Sequence, residues 1–118
     1  KAGCDLFIGH HPHVLRGIQR YGRLVAFYSL GNFLFDSAHG KRAEAGLARA
    51  VFEKTPQKTR LAKAEFIPVI LNGRGGIPRP AKSSVARRIN RRMIRYSRVF
   101  LRTTKLKIQG NRLQVVLP

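Results

Sequence analysis

Acidic residues are scarce in this sequence: five Asp and Glu stand against 24 Lys and Arg in 118 residues, for a formal net charge of +19. A surplus of this size bears on solubility and partners, not on fold. It favours contact with something anionic (nucleic acid, acidic lipid headgroups or an acidic polymer), against the plainer reading of a solvated arginine-rich face. With one cysteine, Cys4, an internal disulfide is excluded and the redox compartment stays open. No local partner activates that thiol, so Cys4 reads as a small buried hydrophobe. No apolar run approaches the roughly 20 residues that cross a bilayer. No secretory signal is expected either, because the chain starts at Lys1 and Asp5 interrupts the first apolar run. Disorder is excluded by an apolar fraction of 43%, and the length allows one domain at most. An opening inside a strand-like segment is expected of the tail of a longer polypeptide.

The charge is uneven along the chain. Residues 1–78 hold 12 bases and all five acids, whereas residues 79–118 hold 12 bases and no acid. Asp5-Leu6-Phe7-Ile8 reads as a buried strand stopped by Gly9. Val14 to Arg20 reads as a short strand, Tyr21-Gly22 as a turn, and Arg23 to Leu30 as a β-rich run broken at Gly31-Asn32. Asp36 to Glu44 is polar and loop-like. Ala45 to Lys54 alternates enough to predict a strand, despite its alanines. Thr55 to Lys58 makes a hairpin loop, and Leu61 to Leu71 a strand in which Pro68 requires an edge position or a bulge. Asn72 to Pro80, with three glycines and two prolines, reads as irregular and as the internal boundary: residues 1–80 form one part, and 81–118 a basic helix and terminal hairpin packed on it. Ser83 and Ser84 are candidate N-caps. Val85, Ile89, Met93, Tyr96 and Phe100 fall on one helical stripe, with Arg87, Arg88, Arg91, Arg92, Arg95 and Arg98 around it. Lys105 to Leu117 alternates about Gly110-Asn111, predicting a hairpin.

Reactive groups are dense in one place, Gly9-His10-His11-Pro12-His13. Neutral imidazoles are common ligands for zinc, iron and manganese. Pro12 biases His11 towards an extended backbone, where residues two apart project to one side, so His11 and His13 could face one metal ion. The alternative is a surface histidine-rich loop. A hydrolytic two-metal site also wants carboxylates. Asp5 lies at the far end of its strand, and Asp36 reads more as a turn former than as a ligand. A two-metal centre therefore needs groups from outside this sequence. Asn32 reads as a turn residue after Gly31, with support of the histidine loop as the alternative. Ser29 has no acid–base partner nearby, and Gly73-Arg74-Gly75-Gly76 lacks the strand and helix of a phosphate-binding loop.

Two segments together, Asp5-Leu6-Phe7-Ile8-Gly9-His10-His11-Pro12-His13-Val14-Leu15-Arg16-Gly17-Ile18 and Phe27-Tyr28-Ser29-Leu30-Gly31-Asn32-Phe33-Leu34-Phe35-Asp36, make the chain resemble the CapA family. These are poly-γ-glutamate capsule synthesis proteins, related in fold to the calcineurin-like metallophosphoesterases. Weaker likeness runs through Phe66-Ile67-Pro68-Val69 and Pro78-Arg79-Pro80-Ala81 into the terminal helix. The resemblance implies an α/β fold: the C-terminal part of a metallophosphoesterase-like β-sandwich, mostly strands, followed by one basic amphipathic helix and a hairpin. It also implies a two-metal site at loops on the strand ends. The histidine loop looks like the superfamily's last metal-binding loop with a proline inserted, which makes His11 and His13 the first ligand candidates and His10 the next. The superfamily's earlier aspartate, asparagine and histidine motifs are absent from this chain, so it is not expected to be active alone.

The expected function is therefore part of a metal-dependent, hydrolase-like protein of capsule or poly-γ-glutamate production, using divalent ions such as Mn, Fe or Zn. Its expected partner is an anionic polymer (poly-γ-glutamate or a capsule precursor) or other capsule-synthesis proteins, with an anionic membrane surface also open. The resemblance suggests a membrane-associated or extracytoplasmic parent protein. Two other readings stand beside it: a non-catalytic component of a capsule-synthesis assembly, and a nucleic-acid-binding module. The second is weakened by sparse aromatics and the lack of a recognition motif.

Overall fold

A computed structural model describes residues 3–36, 38–72 and 76–118. Lys1, Ala2, Ser37 and the Gly73-Arg74-Gly75 part of the glycine-rich boundary lie outside the described residues. The architecture is the expected mixed α/β one, mostly strands with one helix and a terminal hairpin. Among the described residues, no helix is long and apolar enough to cross a membrane.

The first sheet has three strands, β1 (Leu6–Ile8), β2 (Ile18–Tyr21) and β3 (Leu24–Phe27), in the order β1-β3-β2. β1 runs parallel to β3, and β2 antiparallel to it. Gly22 takes the left-handed backbone that the tight β2–β3 turn needs, at φ 58°. Val25, Ala26 and Phe27 are all buried, as expected of a central strand covered on both faces. β1 is not the buried strand that its apolar run suggests: Phe7 and Ile8 are 47% and 44% exposed. The strand lies at the edge of its sheet with β3 as its neighbour, and apolar composition alone does not distinguish edge from centre. At the opposite edge, side-chain hydroxyls from far along the chain take the place of a strand. The Ile18 N–H donates to Ser97 Oγ and the Arg20 N–H to Thr104 Oγ1, both at 2.8 Å.

The second sheet has five strands: β4 (Glu44–Lys54), β5 (Thr59–Asn72), β6 (Ile77–Pro80), β7 (Leu106–Gln109) and β8 (Arg112–Val115). Its order is β4-β5-β8-β7, with β6 also paired to β5. Residues 45–54 are strand, as their alternation predicts. Pro68 sits inside a long central strand, yet its position is locally an edge. β8 pairs with Ala64 to Phe66 and β6 with Val69 to Asn72, so Pro68 falls in the gap between them, where no ladder bond is lost. The expectation of an irregular 72–80 segment fails at its end, because Ile77–Pro80 pairs with β5 despite Pro78 and Pro80. An outer strand with one partner tolerates prolines whose missing N–H groups would have faced away from that partner.

A single helix, α1 (Ser83–Tyr96), lies over both sheets. Ala86, Ile89 and Met93 on its inner face join Ile18, Val25 and Phe27 of the first sheet and Ala64, Phe66, Leu113 and Val115 of the second in one apolar core. The stripe continues past the helix end, where Phe100 lies in the 3-10 turn Arg98–Phe100 and its ring packs 5.4 Å from that of Tyr28. Neither Ser83 nor Ser84 caps the helix. The cap position is Lys82, without a side-chain bond, and the Ser83 N–H donates to Asn111 Oδ1 at 3.1 Å from the β7–β8 turn. A buried carboxylate anchors the other side of the helix. Glu44, at the start of β4, accepts from Arg88 Nε at 3.1 Å and pairs through its second oxygen with Arg92.

Two outcomes follow from this packing. The Phe66 ring occupies the space that a Cβ on Gly46 would need, so Gly46→Ala should destabilise the fold by about 1–3 kcal/mol in chemical denaturation. Arg92 is 20% exposed and Arg88 55%. Arg92→Ala should therefore cost about 1.5–3 kcal/mol, and Arg88→Ala less than about 1 kcal/mol.

Candidate functional site

The histidine loop leaves the end of β1 through Gly9, whose N–H donates to Phe27 O at 2.8 Å. A Cβ at Gly9 would lie 2.5 Å from the Tyr28 carbonyl oxygen. Glycine is therefore required here because the neighbouring backbone comes close, not because the chain turns sharply. His10, His11 and His13 are all exposed. His11 is not extended, as Pro12 was expected to make it; its φ is 98°. The argument that His11 and His13 share a side of an extended segment therefore fails. A non-glycine residue held in this region carries on the order of 1–3 kcal/mol of strain, which must be offset by the surroundings.

Those surroundings come from the segment after β3. Ser29 is fully buried; its hydroxyl donates to Pro12 O at 3.1 Å and accepts from the Gly31 N–H at 3.2 Å. Its role is thus to hold the histidine loop. Gly31 takes the left-handed position of the turn at φ 72°, which frees Asn32 from the turn role assigned to it from sequence. Asn32 is 6% exposed, and its amide joins two elements. Nδ2 donates to Arg42 O at 3.1 Å, and Oδ1 lies 2.7 Å from His13 Nδ1. The Arg42 carbonyl can only accept, which fixes the amide orientation. Asn32 therefore presents an acceptor to His13, so Nδ1 carries a proton, and in the neutral ring Nε2 is the nitrogen with the lone pair. The Phe35 ring, with its centroid 5.0 Å from that of His13, packs against the imidazole.

The other candidates are placed elsewhere. Asp5 is at the opposite end of β1, paired with Arg23 at 2.8 Å, and Asp36 is exposed in a turn. Cys4 is exposed, not buried as expected. It precedes an edge strand, and its thiol donates to Leu6 O at 2.9 Å. Among the described residues, no three His, Cys, Asp or Glu side chains gather closely enough to hold a metal ion. Of the three histidines in the loop, His13 is the one for which a side-chain hydrogen bond to a second group is seen, through Nδ1. For Asn32 the turn role preferred from sequence gives way to its alternative, support of the histidine loop, and the structural role of Ser29 was not foreseen. The one available signal was Gly31, which fills the turn's special position and leaves Asn32 for another task.

Nitrogen-15 NMR should find His13 protonated at Nδ1 when neutral. Asn32→Ala should release that tautomer and cost about 1–3 kcal/mol, because the Arg42 carbonyl loses its donor.

Comparison with known proteins places this site in a recognisable setting. Residues 1–37, which contain the histidine loop, Ser29 and Asn32, match the family model described as bacterial capsule synthesis protein PGA_cap. The PGA biosynthesis protein CapA of Bacillus subtilis is 45% identical over 53 residues, covering 45% of this chain and 14% of that protein. The capsule biosynthesis protein CapA of Bacillus anthracis is 34% identical over 84 residues, covering 71% of this chain and 19% of that protein. An uncharacterized protein of Sinorhizobium fredii, y4sH, is 47% identical over 57 residues, 48% of this chain and 12% of its own length. The chain thus spans less than a fifth of each of these relatives. The histidine loop and its Ser29–Asn32 support lie inside the matched stretch, so the chain's likeness to the CapA proteins of bacterial capsule synthesis runs through the site itself.

Proposed function

We propose that this chain is part of a metal-dependent, hydrolase-like protein of capsule or poly-γ-glutamate production, to which the loop at residues 10–13 contributes ligands. The observation carrying this reading is the Asn32–His13 hydrogen bond, which holds Nδ1 and turns Nε2 outward as the ligating nitrogen of an exposed side chain. His13 is the first ligand, with His11 and His10 beside it. The remaining ligands of a two-metal site come from polypeptide outside these residues. When bound, divalent ions such as Mn, Fe or Zn supply Lewis acidity and a bound water whose pKa is brought down to about 7.

The chain's own groups do the positioning. Asn32 holds the imidazole by its Nδ1 proton, Ser29 holds Pro12, and the strained His11 backbone is kept in place between these two anchors. The substrate class consistent with the charge is an anionic polymer or its precursor, since 24 bases face five acids.

The test uses the full-length protein with capsule polymer as substrate. Activity should be lost on chelation and restored by one of Mn, Fe or Zn. His13→Ala should abolish the restored activity, and Asn32→Ala should weaken metal affinity about 10- to 100-fold. His11→Gly suits the backbone at that position, so it tests the ligand without disturbing the fold. Activity indifferent to both chelation and His13→Ala would overturn the metal reading.

A further inference from the structure

All bases between Ser83 and Leu101 are arginines, six of them and no lysine. Glu44 takes two, Arg88 and Arg92. The other four, Arg87, Arg91, Arg95 and Arg98, are exposed and have no carboxylate partner among the described residues. Three of the four other acids are paired elsewhere: Asp5 with Arg23, Glu53 with Arg60, and Glu65 with Lys63, Arg49 and Arg112. The unpaired arginines follow one another by four, four and three residues. Arg87, Arg91 and Arg95 lie on α1, where the helical rise sets them about 6 Å apart along the axis, and Arg98 follows in the 3-10 turn.

We infer that this arginine stripe is the docking surface for the anionic polymer itself, a γ-linked polyglutamate chain lying along α1. The inference rests on the proposed role in poly-γ-glutamate production and gives that role a location. Two extra methylene groups per repeat lengthen the roughly 3.5 Å of an extended peptide residue to about 6 Å. Such a polymer therefore offers one carboxylate per arginine, in step with the helix. Arginine suits that ligand, because its planar fork takes a carboxylate by two parallel hydrogen bonds, which lysine does not.

Two other polyanions fit less well. An interfacial helix enters a bilayer by its apolar face, but the apolar face of α1 is already buried: Ala86, Ile89 and Met93 are 0% exposed. Single-stranded nucleic acid is usually held by aromatic platforms between the bases of a cationic groove, and the one aromatic residue between Arg87 and Arg98, Tyr96, is half-buried against the core with Arg95 over its ring.

The experiment measures binding of fluorescently labelled poly-γ-glutamate to the 118-residue chain across a salt series. Two variants of equal charge loss are compared with the wild type. One is Arg87→Gln/Arg91→Gln/Arg95→Gln/Arg98→Gln; the other removes exposed lysines elsewhere, Lys41→Gln/Lys54→Gln/Lys58→Gln/Lys107→Gln. Circular dichroism confirms that each is folded. The stripe variant should bind at least about tenfold more weakly and show a shallower salt dependence, while the lysine variant changes affinity less than threefold. Equal losses in both variants, no loss in the stripe variant, or tighter wild-type binding to phosphatidylglycerol vesicles or single-stranded DNA would each overturn the inference. Metal dependence, measured in the full-length protein carrying the stripe substitutions, separates the two readings. If it survives while polymer binding is unchanged, the stripe assignment falls and the metal reading stands. If the wild type neither binds polymer nor needs metal, both fall.

Discussion

One buried carboxylate, Glu44, ties together the helix, the long strand and the turn that supports the histidine loop. It opens β4, is 4% exposed, and grips Arg88 and Arg92 on α1. Its backbone lies against the turn that carries Asn32, since a Cβ on Gly31 would meet the Glu44 carbonyl oxygen at 3.0 Å. Two residues on, the Gly46 N–H donates to Leu30 O at 3.0 Å. The helix, the long strand and the support of the histidine loop thus meet within a few residues. A buried charge without partners is costly, so Glu44 must keep its arginines, and keeping them fixes the face that α1 turns outward.

Scarcity of acid gives each carboxylate a definite place. Glu65 is the second buried one, 2% exposed in the middle of β5. It lies 2.9 Å from Lys63, 3.6 Å from Arg49 and 3.7 Å from Arg112, with one oxygen lacking a hydrogen-bond partner. Each buried acid therefore organises more than one base and leaves net positive charge around it. The excess is not spread as a uniform coat.

Much of the fold was legible because short-range chemistry decides it. The alternation at residues 45–54, the turns at Gly22 and Gly110, and the Ile89–Met93 seam all depend on neighbours a few residues apart. What was misread depends on distant partners. The helix start is satisfied by Asn111, 28 residues beyond Ser83. Pro78 and Pro80 are tolerated because their strand has one neighbour. Phe7, Ile8 and Cys4 look internal by composition, yet they lie on or before an edge. At the candidate site the histidine cluster was visible at once, as three rings in four positions. Its support by Asn32 was visible only as the less favoured alternative, because Asn32 is 19 residues from His13 and its amide has meaning only after Gly31 takes the turn and Arg42 supplies the opposing carbonyl. The strain at His11 was hidden for a related reason: local proline chemistry argues for the extended backbone that the anchored loop overrides.

The hydroxyls of Ser97 and Thr104 give the first sheet a direction of growth. They engage the outward N–H groups of β2, so an added strand would find no free ladder there. Among the described residues, β1 has no strand on its outer side, and its main-chain donors and acceptors remain a template for pairing. Any polypeptide that completes this sheet must arrive along β1. It would then come alongside the imidazoles, and the same addition that shelters Phe7 and Ile8 from water would set its own side chains next to His10.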